Sequence, residues 1–302
     1  MIGLSARVPM AFGSMSAVTI RRMTAAATNP GFIIDKPEFY VTFKELGPKA
    51  GCLAKITMNS PKANTFTYAS LQALGDCLAE VEAQKGVRGL VLDSTVDGFF
   101  SGGFNLPIFQ KISQEDFMQL WSLGKHIFRR IYSLPVPSVA AIDGHALGLG
   151  CVMAMACQQR YMVIGAKKLI GLNEVAVGMP LPEWLAVRFR DLTSMRTAED
   201  LLASGTAITA PRAHQIGLID EVFTSKDEMN AAAMDFLWER AAIPYYAQSE
   251  TLKNLRRGFL DYFDAEFERD NAQFWIAMSH PSTQQCIDRA IAQLAAKSKA
   301  KK

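Results

Sequence analysis

The chain has 302 residues, of which 49 % are hydrophobic and 20 % charged, a composition typical of a globular protein with a sizeable core. No apolar run is long enough to span a membrane, and the five cysteines form no CxxC pair, so neither a membrane span nor a Cys/His metal centre is predicted. The formal charge of +3 equals the three arginines within residues 1–34, which leaves a neutral body and argues against nucleic-acid binding.

Residues 1–34 contain Arg7, Arg21 and Arg22 but no acidic residue, and they are rich in Ser, Thr, Ala and Met. This composition is typical of a mitochondrial transit segment, which is removed after import. We therefore expect residues 1–34 to be disordered or removed, and the mature protein to lie in the mitochondrial matrix. A disordered tail without a targeting role is the alternative.

Strands and helices alternate over residues 35–225, which indicates an α/β core with mainly parallel strands and right-handed crossovers. The helix predicted at 68–83 has an apolar face, because Leu71, Leu74 and Leu78 recur at helical spacing. The predicted elements, in chain order, are a hairpin of strands 38–43 and 53–58, helix 68–83, strand 87–92, helix 114–134, strand 136–142, helix 151–157 and strand 161–164.

Residues 226–302 are predicted to form a helical region that follows the α/β core. Pro244 and Pro281 separate helices within this region, because proline ends or interrupts a helix. The segments predicted to be helical are 227–242, 249–262, 266–278 and 283–296.

Two glycine-rich turns follow two of the predicted strands, at residues 98–106 (GFFSGGFNL) and 144–151 (GHALGLGC). If both strands belong to one parallel sheet, both turns lie at its carboxyl edge, where open α/β sheets bind their ligands. The second turn also leads into a helix, whose first N–H groups lack partners and whose dipole favours negative charge. Such a pair of turns offers the donors of an oxyanion hole, and buried turns with glycines for tight packing are the alternative.

Glu174 stands in an apolar stretch, residues 170–184 (IGLNEVAVGMPLPEW). A carboxylate among apolar side chains loses hydration, which raises its pKa and makes it a better base near neutral pH. The alternative is a solvated loop residue or an acid at a helix N-terminus.

Together the three stretches resemble the motifs of the crotonase superfamily, the enoyl-CoA hydratases and isomerases, over about residues 39–242. Residues 100–106 (FSGGFNL) are similar to the first oxyanion motif of the superfamily and residues 143–151 (DGHALGLGC) to the second. Residues 170–178 (IGLNEVAVG) look most like the mitochondrial Δ3,Δ2-enoyl-CoA isomerases. The resemblance implies a crotonase-type spiral of ββα units, with C-terminal helices that cover the site and mediate trimerisation.

The resemblance also implies the site residues. The oxyanion donors fall on the backbone N–H groups of Gly102 and Leu149, and the catalytic acid–base falls on Glu174. Residues 102–106 match the loop that binds coenzyme A, and Asn173 matches a position that contacts the substrate. The implied substrate-binding residues are Gly102, Gly103, Phe104, Asn105, Leu106, Leu149 and Asn173. No metal or other cofactor is expected, because the coenzyme A thioester is itself the substrate.

The implied reaction converts 3-cis- or 3-trans-enoyl-CoA to 2-trans-enoyl-CoA in fatty-acid β-oxidation, in a homotrimer. One carboxylate can move the proton from C2 to C4 while two N–H groups stabilise the negative thioester oxygen. Hydratases of the superfamily use a second glutamate, directly after the cysteine of the second motif, and this position is Val152 here. Because Val152 cannot transfer a proton, the sequence favours an isomerase over a hydratase.

Other functions stay open at this point. Asn105 replaces the usual Asp of the first motif, and Leu149 stands where the second motif usually has Gly. Glu183 could be the second carboxylate of a hydratase or a dienoyl-CoA isomerase, or simply an acid at a helix N-terminus. A non-catalytic relative that binds acyl-CoA or RNA is a further alternative. Aromatic residues that could line an acyl tunnel, or simply pack in the core, are Tyr68, Phe104, Phe109 and Trp184.

Overall fold

The computed structural model of the chain describes residues 19–20, 38–47 and 50–299. The predicted transit segment therefore lies outside the described residues, apart from the two residues of strand β1. The strands are β1 (Thr19–Ile20), β2 (Phe39–Glu45), β3 (Cys52–Met58), β4 (Val87–Ser94), β5 (Phe99–Ser101), β6 (Ser138–Ile142), β7 (His145–Leu147), β8 (Gln159–Val163), β9 (Leu169–Gly171), β10 (Ile208–Thr209) and β11 (Glu221–Phe223).

Helices follow most of these strands and form nearly all of the C-terminal region. The α-helices are α1 (Tyr68–Ala83), α2 (Gln114–Ser133), α3 (Leu149–Ala156), α4 (Glu183–Leu192), α5 (Met195–Ser204), α6 (Ala210–Gln215), α7 (Lys226–Ala241), α8 (Tyr245–Ala265), α9 (Phe267–Ser279) and α10 (Pro281–Lys299). Short 3-10 turns lie at Leu106–Phe109 and Val175–Val177. Within the described ranges, no helix is long and apolar enough to cross a membrane.

The strands form two sheets, and from β4 to β9 successive strands alternate between them. The larger sheet has the order β1-β2-β3-β4-β6-β8-β11, with β2 and β3 antiparallel and the strands from β3 to β11 parallel. The smaller sheet has the order β10-β9-β7-β5. Three successive units, β4-β5-α2, β6-β7-α3 and β8-β9-α4, each place one strand in each sheet before the helix. The predicted spiral of ββα units is therefore confirmed.

Helix α1 shows how local sequence sets an element. Thr67 and Ser70 form a capping box, in which each hydroxyl accepts a hydrogen bond from the backbone N–H of the other residue. The observed bounds are those predicted, and Leu71, Leu74 and Leu78 are buried as expected.

The structure differs from the prediction between the main elements. Both glycine-rich turns contain a three-residue strand, β5 and β7, because backbone groups of the two turns pair with each other. Helices α4, α5 and α6 were not predicted, and α8 begins four residues before the predicted helix at 249.

Two apolar clusters lie on opposite faces of the larger sheet. On one face, the main core packs the sheet against α1, α2 and α3 and includes Phe66, Phe100 and Phe128. On the other face, Val91 and Val139 of the sheet pack against α7. The first turn, the second turn and Glu174 all lie on the side of the main core, where α9 also packs against α2.

Candidate active site

The two glycine-rich turns are in direct contact. Strands β4 and β6 are parallel neighbours, so both turns leave the same edge of the larger sheet, as predicted. The N–H of His145 donates to the carbonyl of Gly98 at 2.9 Å. A Cβ on Gly144, whose φ is +146°, would lie only 2.3 Å from the carbonyl carbon of Gly98. Glycine is required here because the two backbones touch.

The second turn delivers an N–H group to this contact. Gly148 is the N-cap of α3, and Leu149 is the first residue of the helix. Within the described part of the chain, the N–H of Leu149 has no acceptor, as is usual in the first turn of a helix. A Cβ on Gly103 would lie 3.3 Å from the nitrogen of Leu149. The first turn therefore lies directly against the first N–H of the helix.

The first turn corrects one predicted donor. The N–H of Gly102 donates to the carbonyl of Ala63 at 2.8 Å, so this group is not available to a ligand. Phe104 forms a bridge with Phe66, in which the carbonyl of Gly103 and the N–H of Asn105 are the bonded groups. Because backbone groups alternate in direction, the N–H of Phe104 faces away from Phe66, and no described residue accepts it.

Glu174 is held at the start of a 3-10 turn after β9. Its carbonyl accepts hydrogen bonds from the N–H groups of Val177 and Met179, both at 3.0 Å. Its carboxylate oxygen Oε2 is buried and has no hydrogen-bond partner among the residues with described positions. Burial raises the pKa of Glu174 to about 7. Oε1 lies 3.5 Å from the position that a Cβ on Gly148 would occupy, so the carboxylate abuts the second turn.

Phe104, Leu149 and Glu174 line one cavity, which we call the Glu174 cavity. Its volume is about 30 Å³, room for about one water molecule. The rest of its wall is largely apolar and aromatic, and includes Phe109, Trp121, Val152, Met179, Trp184 and Phe274. These apolar walls are the physical cause of the raised pKa of Glu174. Among the described residues, this arrangement places a carboxylate without a hydrogen-bond partner beside two backbone N–H groups without acceptors.

Comparison with known proteins decides the family. A family model described as enoyl-CoA hydratase/isomerase matches residues 49–290. The chain belongs to the enoyl-CoA hydratase/isomerase family. This confirms the resemblance seen in the motifs and makes the chain an enzyme of this family.

Individual relatives include both isomerases and hydratases. The mitochondrial enoyl-CoA delta isomerase 1 of Rattus norvegicus is 27 % identical over 235 residues, which cover 78 % of this chain and 81 % of that protein. A probable enoyl-CoA hydratase of Bacillus subtilis (strain 168) is 33 % identical over 178 residues, which cover 58 % of this chain and 67 % of that protein. The crystal structure of human mitochondrial delta3-delta2-enoyl-CoA isomerase superposes with a TM-score of 0.81 at 25 % identity, covering 86 % of this chain and 99 % of that one.

Two predicted candidates lie outside the Glu174 cavity of this family member. Glu183 is the first residue of α4, and its side chain is 63 % exposed and 3.7 Å from Nη2 of Arg269. Tyr68 is 43 % exposed at the start of α1 and does not line the cavity. By contrast, Phe104, Phe109 and Trp184 do line it. Glu183 therefore has the surroundings of a surface acid rather than of a second catalytic carboxylate.

The remaining predicted residues surround the first two turns. Asn173 Oδ1 lies 3.7 Å from the position of a Cβ on Gly148, next to the carboxylate of Glu174. Asn105 donates its N–H to the carbonyl of Phe66 at 2.9 Å and precedes the 3-10 turn that Leu106 begins. The ring of His145 packs against that of Phe99, with centroids 5.1 Å apart and planes tilted by 40°, as its position in a turn that lends only backbone suggests.

Seven residues of the cavity wall were not predicted: Trp121, Gly124, Lys125, Met179, Pro182, Leu185 and Phe274. Trp121 and Lys125 belong to a predicted helix, but the sequence does not indicate which of its residues face the two turns. Phe274 comes from α9, about a hundred residues after Glu174 in the chain. No group of three His, Cys, Asp or Glu residues placed to hold a metal ion is found in the described ranges.

Proposed function

We propose that this protein is a Δ3,Δ2-enoyl-CoA isomerase, which converts 3-cis- or 3-trans-enoyl-CoA to 2-trans-enoyl-CoA in fatty-acid β-oxidation. The observation that carries the proposal is the buried carboxylate of Glu174, whose Oε2 has no hydrogen-bond partner among the described residues. It is the single carboxylate among the described residues that line the cavity, and its pKa of about 7 suits a group that both takes and returns a proton at neutral pH.

The proposed mechanism uses one proton and two N–H donors. Glu174 removes a proton from C2 of the 3-enoyl thioester, and the electron pair moves into the thioester oxygen to give a dienolate. The N–H groups of Leu149 and Phe104 stabilise this oxygen; Phe104 replaces Gly102, whose N–H is bonded to Ala63. Glu174 then returns the proton at C4, and the double bond moves to C2–C3.

Hydration requires more than this set. Water must be deprotonated while a second group supplies a proton to carbon, and hydratases of the superfamily use two glutamates. The position of the second glutamate is Val152, which lies in the wall of the Glu174 cavity. Glu183, the other candidate, is exposed beside Arg269. These surroundings support the isomerase, as do the names of several relatives.

We also propose that residues 102–106 hold coenzyme A, that Asn173 contacts the acyl thioester, and that no metal or redox cofactor takes part. Activity is then expected to persist after exhaustive treatment with EDTA. The site as described must also open, because about 30 Å³ is far below the roughly 300–1,000 Å³ of ordinary ligand pockets.

For location and assembly, we propose a homotrimer in the mitochondrial matrix. The relatives named as mitochondrial and the composition of residues 1–34 support the location. Large apolar side chains exposed on the C-terminal helices support an assembly, because buried contacts would remove them from water. These side chains are Tyr246, Leu255, Ile276 and Leu294. Sedimentation equilibrium of the purified protein measures the number of subunits.

The function is tested by comparing the wild type with Glu174→Gln and Glu183→Gln on 3-trans-hexenoyl-CoA, following absorbance of the conjugated thioester. Loss of a single acid–base group is expected to lower kcat by about 10²- to 10⁴-fold in Glu174→Gln. Glu183→Gln is the matched control and is expected to stay within about twofold of the wild type, because an exposed side chain takes no part. Equal loss in both variants, or fast hydration of 2-hexenoyl-CoA by the wild type, would contradict the proposal.

A further inference from the structure

Asn64 is a fully buried residue in the segment between β3 and α1, and its side chain is bonded to the first glycine-rich turn. Its φ is +46°, a left-handed conformation that asparagine tolerates better than most residues. Nδ2 donates to Oγ of Ser94 at 2.7 Å and to the carbonyl of Phe100 at 3.0 Å. Oδ1 accepts the N–H of Ser60 at 2.7 Å. The side chain of Asn64 therefore ties its own segment to the end of β4 and to β5.

Ser101, also fully buried, continues this connection along the first turn. Its hydroxyl donates to the carbonyl of Asn64 at 2.7 Å and accepts the N–H of Gly103 at 3.1 Å. Ser101 also packs closely against α3, because a Cβ on Gly150 would lie 2.7 Å from the carbonyl oxygen of Ser101. Ser101 therefore joins the segment of Asn64, the first turn and the first residues of α3.

These contacts fix the backbone on both sides of Phe104. The N–H groups of residues 102, 103 and 105 all have acceptors, which are the carbonyl of Ala63, Oγ of Ser101 and the carbonyl of Phe66. In residues 102–105, the N–H of Phe104 is the one without an acceptor in the described part of the chain. Because its neighbours are bonded, the peptide unit of Phe104 has little freedom to rotate. Donors fixed in this way stabilise developing charge without first having to reorient.

We propose that Asn64 and Ser101 are positioning residues of the reaction, which hold the N–H of Phe104 in the direction that the thioester oxygen requires. Both side chains are fully buried and neither lines the Glu174 cavity, so they act through the backbone of residues 100–104 rather than by touching the substrate. This inference rests on the proposed function, in which the N–H of Phe104 is one of two oxyanion donors.

Ser101→Ala is the first test, because it removes one oxygen and both of its hydrogen bonds but leaves the N–H of Phe104 in place. We expect kcat to fall about tenfold, a part of the roughly 10²- to 10³-fold that complete loss of an oxyanion donor costs. KM is expected to stay within about threefold of the wild type, because the donor acts mainly in the transition state. Asn64→Gly permits the left-handed backbone and removes the three side-chain bonds, so it is expected to act in the same direction.

Ser138→Ala is the matched control for Ser101→Ala. Ser138 is also fully buried, and its Oγ accepts the N–H of Gln158 at 3.0 Å, but it begins β6, at the end of the strand away from the second glycine-rich turn. Both alanine variants are expected to shift the urea midpoint of unfolding by similar amounts, because each loses a bonded, buried hydroxyl. Only Ser101→Ala is expected to lower kcat, and equal losses of kcat in the two variants would overturn the inference.

A measurement without turnover separates this inference from the proposed function. The probe is saturated hexanoyl-CoA labelled with carbon-13 at C1, whose carbonyl stretching frequency falls when N–H groups donate to the thioester oxygen. Infrared difference spectra are expected to show the same downshift in the wild type and Ser138→Ala, and a smaller one in Ser101→Ala and Asn64→Gly. Ser101→Ala decides the inference if Asn64→Gly does not fold.

The outcomes distinguish the two claims. If Ser101→Ala keeps the kcat and the downshift of the wild type, or if the wild type shows no downshift, the positioning role is overturned. In the first of these cases the isomerase stands. If the wild type isomerises no 3-enoyl-CoA, the proposed function fails, and the downshift in the wild type and the variants still decides whether Asn64 and Ser101 position the donor.

Discussion

Glu174 and Lys125 are two ionisable residues in the wall of the Glu174 cavity, and they differ in whether their charged groups have hydrogen-bond partners. The ammonium of Lys125 donates to the carbonyl of Phe267 and to Oδ2 of Asp270 at 2.9 Å, and to Oδ1 of Asn271 at 3.1 Å. It also lies 4.0 Å from the ring centroid of Phe267. Oε2 of Glu174 is buried and has no partner within the described chain.

The difference distinguishes a charged group that stabilises the fold from one that we propose to transfer a proton. Burial lowers the pKa of Lys125, but Asp270 opposes this shift and keeps the ammonium bonded. Burial raises the pKa of Glu174, and little opposes it. The bonds of Lys125 tie α2 to α9, which carries Phe274 into the cavity wall. The carboxylate of Glu174 makes no such contact between helices. Burying it lowers the stability of the fold, as is common for groups that transfer protons in active sites.

The largest expected effect comes from removing the ammonium of Lys125 and with it its hydrogen bonds. Lys125→Met removes the ammonium and leaves Asp270 buried without its partner, which is expected to lower the free energy of unfolding by about 3–5 kcal/mol. The measurement is urea-induced unfolding followed by circular dichroism.

Arg129→Met is the matched control for Lys125→Met. Arg129 also lies on α2 and pairs with Asp264 of the C-terminal helices, but the two side chains are 38 % and 43 % exposed. Its loss is expected to cost at most about 1 kcal/mol, because exposed pairs contribute little. Equal effects of the two variants would show that the bonds of Lys125 are not structural.

The next effect tests the bare N–H of Leu149. Leu149→Pro removes this N–H at the first position of α3, where proline is tolerated. Loss of one oxyanion donor is expected to lower kcat by about 10²- to 10³-fold, while the circular dichroism spectrum stays that of the wild type. Leu149→Ala keeps the N–H and removes the side chain. If Leu149→Ala loses as much activity as Leu149→Pro, the side chain rather than the N–H carries the effect.

A smaller effect concerns the stability cost of the bare carboxylate. The pKa of Glu174 is raised from 4.5 to about 7, so the folded chain binds this proton more tightly than the unfolded chain. Stability of the wild type therefore falls as pH rises from about 4.5 to 7, by up to about 3 kcal/mol. Glu174→Gln removes the ionisation and is expected to be more stable than the wild type at pH 8.

At low pH this difference should vanish, because Glu174 is then neutral in both the folded and the unfolded wild type. Thermal unfolding of the wild type and Glu174→Gln at pH 4 and pH 8 measures it. If Glu174→Gln exceeds the wild type in unfolding temperature by the same amount at pH 8 as at pH 4, the carboxylate of Glu174 has hydrogen-bond partners in the folded protein.

The sequence predicts well what depends on local pattern. Helix α1 follows from the spacing of Leu71 and Leu74 and from the capping residue Thr67. The meeting of the two glycine-rich turns follows from the parallel order of β4 and β6. The apolar neighbours of Glu174 in the chain indicated a raised pKa without excluding a solvated loop residue, and the resemblance of three short motifs to the crotonase superfamily assigned the acid–base role.

Contacts between distant segments could not be predicted in this way. The N–H of Gly102 is bonded to Ala63, and no motif shows that the turn containing Ala63 reaches it. Phe274 enters the cavity only because α9 packs on α2. The ββα unit repeats in space without a repeat in sequence, since each strand needs only apolar residues of suitable size.

The smallest expected effect is the pH dependence of the reaction, and it sharpens the contrast between the two groups. Proton removal from C2 needs the ionised form of Glu174, so kcat/KM is expected to rise tenfold per pH unit below about pH 7 and to level off above it. Lys125 is not among the groups that shift the pKa of Glu174, so Lys125→Met is expected to keep the same midpoint. Kinetics with 3-trans-hexenoyl-CoA from pH 5 to pH 9 measure the midpoint. A midpoint near the ordinary glutamate pKa of 4.5 would mean that Glu174 is solvated in the free enzyme.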